Sequence, residues 1–157
     1  MKILFLHGYG SDPDGIRPTF LKEEGFDVIH PALPDEDFDE SVRIGREAFD
    51  QGHPDVVVGS SRGGAVALNM DTGDVPLVLI APAWKKWGNA RTVKAAVTIL
   101  HSENDDVVPI GDSRELLSSI RLSEEQLIVV GQDHRMDDLE TFGALSSVLN
   151  QLCPDTG

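Results

Sequence analysis

Val56-Val57-Val58-Gly59-Ser60-Ser61-Arg62-Gly63-Gly64 contains the pattern Gly-x-Ser-x-Gly centred on Ser61. A chain of this composition supplies about 0.1 such match by chance, so the pattern alone is weak. Its setting adds weight: a buried-strand run leads straight into it, and Ala65-Val66-Ala67-Leu68 continues as a helix start. A serine on such a strand-turn-helix elbow projects its hydroxyl above a sheet, and glycines on either side let helix and strand pass closely. The amino end of the helix then aims the Arg62 N–H and the helix dipole at an oxyanion. Ser60 is rejected as the centre, because Val58 and Arg62 would stand where glycines belong.

A serine hydroxyl is a poor nucleophile at neutral pH and needs a base in hydrogen-bond reach, oriented in turn by a carboxylate. Two polar strand-end loops offer these groups. His101-Ser102-Glu103-Asn104-Asp105-Asp106-Val107-Val108-Pro109 carries the acid, read as Asp105 with Asp106 as neighbour and rival, and Gly131-Gln132-Asp133-His134 carries the base, His134. The chain order is Ser, Asp, His. Taken singly, His134 reads as an exposed loop residue and Asp105 as a turn residue before Pro109; together, at strand ends and in this order, they read as a triad. The turn His7-Gly8-Tyr9-Gly10-Ser11 after the first strand can present a second backbone N–H toward Ser61, with His7 as a turn-stabilising residue. His30 and His53, beside prolines, are assigned no chemistry.

These residues require a scaffold that ends strands side by side. Apolar runs at Ile3–Leu6, Phe26–Ile29, Val56–Val58, Leu77–Ile80, Val97–Leu100 and Leu127–Val130 are six predicted strands, most without alternation, the pattern of strands buried on both faces. Helical segments are predicted between them over about Arg17–Glu24, Phe38–Gln51, Arg62–Asn69, Pro109–Ile120 and Asp137–Leu152. The alternation predicts an α/β fold: a doubly wound, mainly parallel six-stranded sheet with helices on both faces and its chemistry at the carboxyl ends of the strands. Asp35-Glu36-Asp37-Phe38-Asp39-Glu40 reads as a solvated loop into a helix N-terminus, not a metal site. Ala81–Ala95, with Trp84 and Trp87, is an excursion without assignment and too short for a lid domain.

The sequence resembles the α/β-hydrolase superfamily, specifically small, cap-less, single-domain serine hydrolases of the retinoblastoma-binding and YqiA types. The carriers are His7-Gly8-Tyr9-Gly10, Gly59-Ser60-Ser61-Arg62-Gly63-Gly64, Asp105-Asp106-Val107-Val108-Pro109 and Gly131-Gln132-Asp133-His134, spread over nearly the whole chain. The resemblance implies strand order 2-1-3-4-5-6, nucleophile Ser61, acid Asp105, base His134, and oxyanion donors at the backbone N–H of Tyr9 and Arg62. Ser102 departs from the glycine that relatives often have after the histidine.

The chain of 157 residues has 13 Lys and Arg against 27 Asp and Glu, a formal charge of −14. One domain is expected over residues 1–157, and nucleic acid and anionic membranes are poor partners for so acidic a surface. Cys153, the only cysteine, allows no intrachain disulfide. The opening apolar run stops at His7-Gly8, too short for a secretion signal, so a cytoplasmic protein is expected. The reading is a serine hydrolase, a carboxylesterase on short acyl esters that needs no cofactor and no metal, working as a monomer or homodimer on a small-molecule ester. A thioesterase or amide hydrolase would use the same machinery. Trp84, Trp87, Val108 and Met136 are predicted to form an apolar wall for the substrate. The rival classes are a non-catalytic binding domain on the same fold and, last, a nucleotide-binding domain, for which Gly59–Gly64 lacks the lysine of a phosphate loop.

Overall fold

A computed structural model describes residues 1–89 and 93–152; Cys153 lies outside the described residues. Six strands form one sheet: β1 (Lys2–Leu6), β2 (Asp27–Ile29), β3 (Val56–Ser60), β4 (Leu77–Ile80), β5 (Val97–His101) and β6 (Leu127–Val129). Their order is β2-β1-β3-β4-β5-β6, with every neighbouring pair parallel. Helices α1 (Ile16–Glu23), α2 (Phe38–Gly52), α3 (Arg62–Leu68), α4 (Ile110–Ser119) and α5 (Leu139–Leu152) provide the crossovers and the final layer.

The missing alternation in the strands has a direct cause. On β1, Leu4 and Leu6 enter one core with Val66 of α3 and Leu116 and Leu117 of α4, while Ile3 and Phe5 enter the other with Leu21 of α1 and Leu145, Val148 and Leu149 of α5. Each face is covered by helices, so residues of both parities must be apolar. The chain starts at β1, steps outward to β2 and returns past β1 to β3. That reversal makes the carboxyl edge between β1 and β3 the switch point at which such sheets hold ligands.

Element limits differ from the sequence reading by one or two residues. β3 and β5 extend to Ser60 and His101, because pairing in register with β4 and β6 carries the ladder past the apolar runs. Helix α4 begins at Ile110, since Pro109 is extended (φ −60°, ψ 138°) and sits at the cap. Asp37 caps α2, its carboxylate accepting from Glu40 N at 3.0 Å. Among the described residues no helix is long and apolar enough to cross a membrane.

Candidate active site

The turn between β3 and α3 is tightly packed at the carboxyl edge of the sheet. Ser61 adopts φ 54°, ψ −114°, a left-handed conformation that a side chain tolerates only when its surroundings enforce it. A Cβ on Gly59 would lie 2.6 Å from the Gly63 carbonyl oxygen, and one on Gly63 would overlap the Leu6 carbonyl. Both glycines are therefore required by close packing of α3 against β3 and β1.

At this elbow the Ser61 Oγ lies 2.9 Å from His134 Nε2, and His134 Nδ1 lies 2.7 Å from Asp105 Oδ2. The three groups come from the ends of β3, β5 and β6, which parallel pairing brings to one edge of the sheet. Asp105 is buried, whereas Asp106 is exposed. The other Asp105 oxygen, Oδ1, accepts from the backbone N–H groups of Val107 and Val108, both at 2.8 Å. Burial alone would raise this carboxyl, but the hydrogen bonds from His134, Val108 and Val107 outweigh it and hold it below the usual carboxylate range.

The sequence reading passed over His101. It is fully buried at the end of β5, with Nε2 at 3.0 Å from Asp105 Oδ2 and 2.9 Å from the Val108 carbonyl. Both neighbours are acceptors, so Nε2 carries the proton; Nδ1 then accepts from the Ser113 hydroxyl at 2.7 Å. Burial keeps the ring below the ordinary histidine range and hence neutral. Strand parity was the available signal: His101 shares the face of Val97 and Ile99, which meets α4. Ser102 also has a task, its hydroxyl donating to the Gly131 carbonyl at 2.9 Å and tying the Asp105 loop to the His134 loop.

Arg17 on α1 was likewise missed. Its guanidinium donates to Ser60 Oγ at 2.9 Å, to the Met136 carbonyl at 3.0 Å and to the Arg135 carbonyl, joining the elbow to the His134 loop. Burial lowers its pKa to about 10, which leaves it charged at neutral pH. His7 holds the turn after β1 by accepting from Leu33 N–H on Nε2 at 2.9 Å. That turn abuts the elbow, since a Cβ on Gly8 would stand 3.4 Å from Ser61 Cβ.

A cavity of about 550 Å³ opens above Ser61 and His134, walled by Tyr9, Arg62, Trp87 and Val108 among others. Trp87 stacks between Tyr9 (centroids 6.4 Å apart) and Phe38 (5.9 Å), with the Arg62 guanidinium 4.9 Å from its ring centroid. Two expected wall residues are corrected. Trp84 is buried in the core beside Leu116 and Leu117, its Nε1–H donating to the Asp112 carbonyl at 2.8 Å, and does not line the cavity. Met136 turns inward with φ 52° and is fully buried in the opposite core with Leu145. In both, the apolar side chain gains more from complete burial than from a half-open wall. Among the described residues, no three His, Cys, Asp or Glu side chains gather as a metal-ligand set.

None of the curated proteins matches this sequence. Solved structures of similar fold include α/β-hydrolase domain-containing protein 10 from mouse, 18% identical with TM-score 0.74, covering 96% of this chain and 88% of that one. The ydeN gene product from B. subtilis is 14% identical with TM-score 0.74, covering 96% and 97%. Est1E from Butyrivibrio proteoclasticus is 13% identical with TM-score 0.73, covering 96% and 87%. These likenesses concern the fold. The sequence profile of the alpha/beta hydrolase family matches residues 3–150, nearly the full length, and the chain belongs to that family.

Proposed function

We propose that the protein is a serine hydrolase, a carboxylesterase that cleaves short acyl esters through an acyl-enzyme on Ser61. The observation that supports this reading is the continuous chain of hydrogen-bonding groups from Ser61 Oγ through His134 to Asp105, at 2.9 and 2.7 Å. With Asp105 ionised, His134 Nδ1 donates to it, and Nε2 is left as the acceptor for the serine proton. Ser61 Oγ attacks the ester carbonyl as that proton moves to Nε2. The oxyanion is received by the backbone N–H groups of Tyr9 and Arg62, and His134 returns the proton to the departing alcohol. Water, activated by the same nitrogen, then releases the acid and restores the serine.

A preference for short acyl groups comes from the walls: Trp87 and Val108 supply apolar surface close to Ser61, whereas Tyr9, Ile16 and Val107 are exposed at the cavity and no helical cap covers it among the described residues. Each additional methylene contributes up to about 0.8 kcal/mol only while it touches that surface. Ser61→Ala, assayed on p-nitrophenyl acetate and butyrate, should lose about 10³-fold or more in turnover with the fold intact. A fluorophosphonate probe should label Ser61 in the wild type. Turnover of Ser61→Ala within tenfold of wild type, or labelling elsewhere, would remove the serine from the chemistry.

A further inference from the structure

The charge of the cavity runs against the charge of the protein. Across the chain, acids outnumber bases 27 to 13. On the cavity wall the bases are Arg17, Arg62, Lys85, Lys86 and Arg135, and the acids are Asp112 and Asp137. So five of the chain's bases, and only two of its acids, meet at the site of Ser61.

Some of this positive charge is already answered. Lys85 pairs with Asp112 at 3.4 Å and with Glu115. The Arg62 guanidinium lies against Trp87 and Phe38 and donates to Ser41 Oγ and the Pro34 carbonyl, with Asp35, Glu36 and Asp37 close enough to raise its pKa against the lowering effect of burial. Three cations remain without a carboxylate in contact among the described residues: Arg17, Arg135 and Lys86, the last lying 5.6 Å from the Trp87 ring centroid. Asp137 is the acid whose field reaches Arg17.

Arg17 weighs most. Its hydrogen bonds go to two carbonyls and a hydroxyl, all neutral, and its buried Nε has no partner among the described residues. A cation withdrawn from water without a carboxylate in contact is costly, and an anion arriving in the cavity relieves that cost. Location adds direction. Arg135 follows His134 in the chain, and Arg17 grips the Arg135 and Met136 carbonyls, so both residues line the cavity on the wall of the histidine that must protonate the departing group.

We propose that the natural substrate is an ester or thioester whose leaving group carries a carboxylate, drawn into the cavity by Arg17, Lys86 and Arg135. This rests on the acyl-transfer reading of Ser61 and His134. A carboxylate matches this modest local surplus of positive charge, in which Asp137 offsets Arg17 only in part. Because the chain as a whole carries a formal charge of −14, a local cluster of bases at this opening both concentrates an anion there and selects it.

The test compares acetate esters that differ in one group, 3-acetoxybenzoate and the neutral 3-acetoxybenzamide, at low ionic strength. The expected kcat/KM ratio is about tenfold or more in favour of the carboxylate, narrowing in about 1 M salt, where the screening length falls to about 3 Å. Arg135→Gln and Lys86→Gln should each lower the ratio severalfold. A ratio near one, or a ratio unmoved by both variants, overturns the proposal. A stronger preference for 3-acetoxyphenyl phosphate overturns the carboxylate, and a preference confined to an acyl-side charge, p-nitrophenyl hemiglutarate over p-nitrophenyl butyrate, overturns the leaving-group placement. Calorimetric binding to Ser61→Ala separates this inference from the function it rests on. Tighter binding of 3-acetoxybenzoate than of the amide supports the anion site even if the wild type hydrolyses neither ester, whereas equal binding refutes the site even if both are hydrolysed.

Discussion

Asp105→Asn exchanges one oxygen for an amide nitrogen, and the surrounding donors decide its effect. The carboxylate faces four donors and no acceptor: Val107 N and Val108 N on Oδ1, His134 Nδ1 and His101 Nε2 on Oδ2. An amide has a single oxygen, so one pair of donors must confront the NH₂ group. The two backbone donors, each at 2.8 Å, are fixed by the turn and cannot reorient. The imidazole of His134 can, by moving its proton from Nδ1 to Nε2. The favoured arrangement therefore leaves the oxygen on the backbone and the NH₂ on His134, which places an Nε2–H against Ser61 Oγ. That nitrogen can no longer take the serine proton. Triads with the wrong tautomer lose about 10⁴ in kcat, or roughly 5.5 kcal/mol at the transition state. The cost to stability is smaller, about 1–3 kcal/mol, because His101 keeps the Val108 carbonyl as its second acceptor and only one buried contact is lost. The assay is kcat on p-nitrophenyl butyrate with melting temperature measured alongside, and exposed Asp106→Asn serves as the control. An Asp105→Asn variant within tenfold of wild type, or a greater loss in Asp106→Asn, would refute the tautomer argument.

Stability should fall as the medium is acidified, in two stages. Burial depresses the His101 pKa, so the unfolded chain binds a proton below about pH 6.5 that the folded one refuses; Asp105 and Asp138, held below the usual carboxylate range, add a loss below about pH 4. Melting temperature of wild type and His101→Gln from pH 7 to pH 5 checks the first stage, and an equal slope in both would exclude His101. Trp84→Ala should destabilise by about 3–5 kcal/mol while leaving acyl-length preference as it was, and Trp87→Ala should alter that preference; p-nitrophenyl esters of graded acyl length distinguish them, and the opposite pattern would reverse their assignment. Gly63→Ala should give little or no folded protein, because its Cβ overlaps the Leu6 backbone, which cannot yield; a soluble variant with wild-type melting temperature would contradict the close packing of α3 on β1.

The strand order agrees with what the resemblance implies, and the strands were readable because burial on both faces erases alternation in a way that local composition records. The elbow was readable for a similar reason: glycines at 59 and 63 are a local answer to a local crowding. Ser61, Asp105 and His134 could be ranked by their places at strand ends, though separating Asp105 from Asp106 needed the turn that points one carboxylate inward to 2.7 Å from His134 and leaves the other in water. The remainder was decided by packing between distant segments. Arg17 meets Met136 across 119 positions, and no periodicity relates the two. His101 looked like the first residue of a polar loop until β6 and α4 enclosed it. Trp84 and Trp87 stand three residues apart with equal hydrophobicity, yet one faces α4 and the other the cavity, as the path of one turn dictates. Sequence therefore determined which strand residues must be buried and where chain direction must change, since near neighbours govern both. Which side chain meets which depends on how the crossovers bring remote strand ends together, and that is a property of the folded molecule alone.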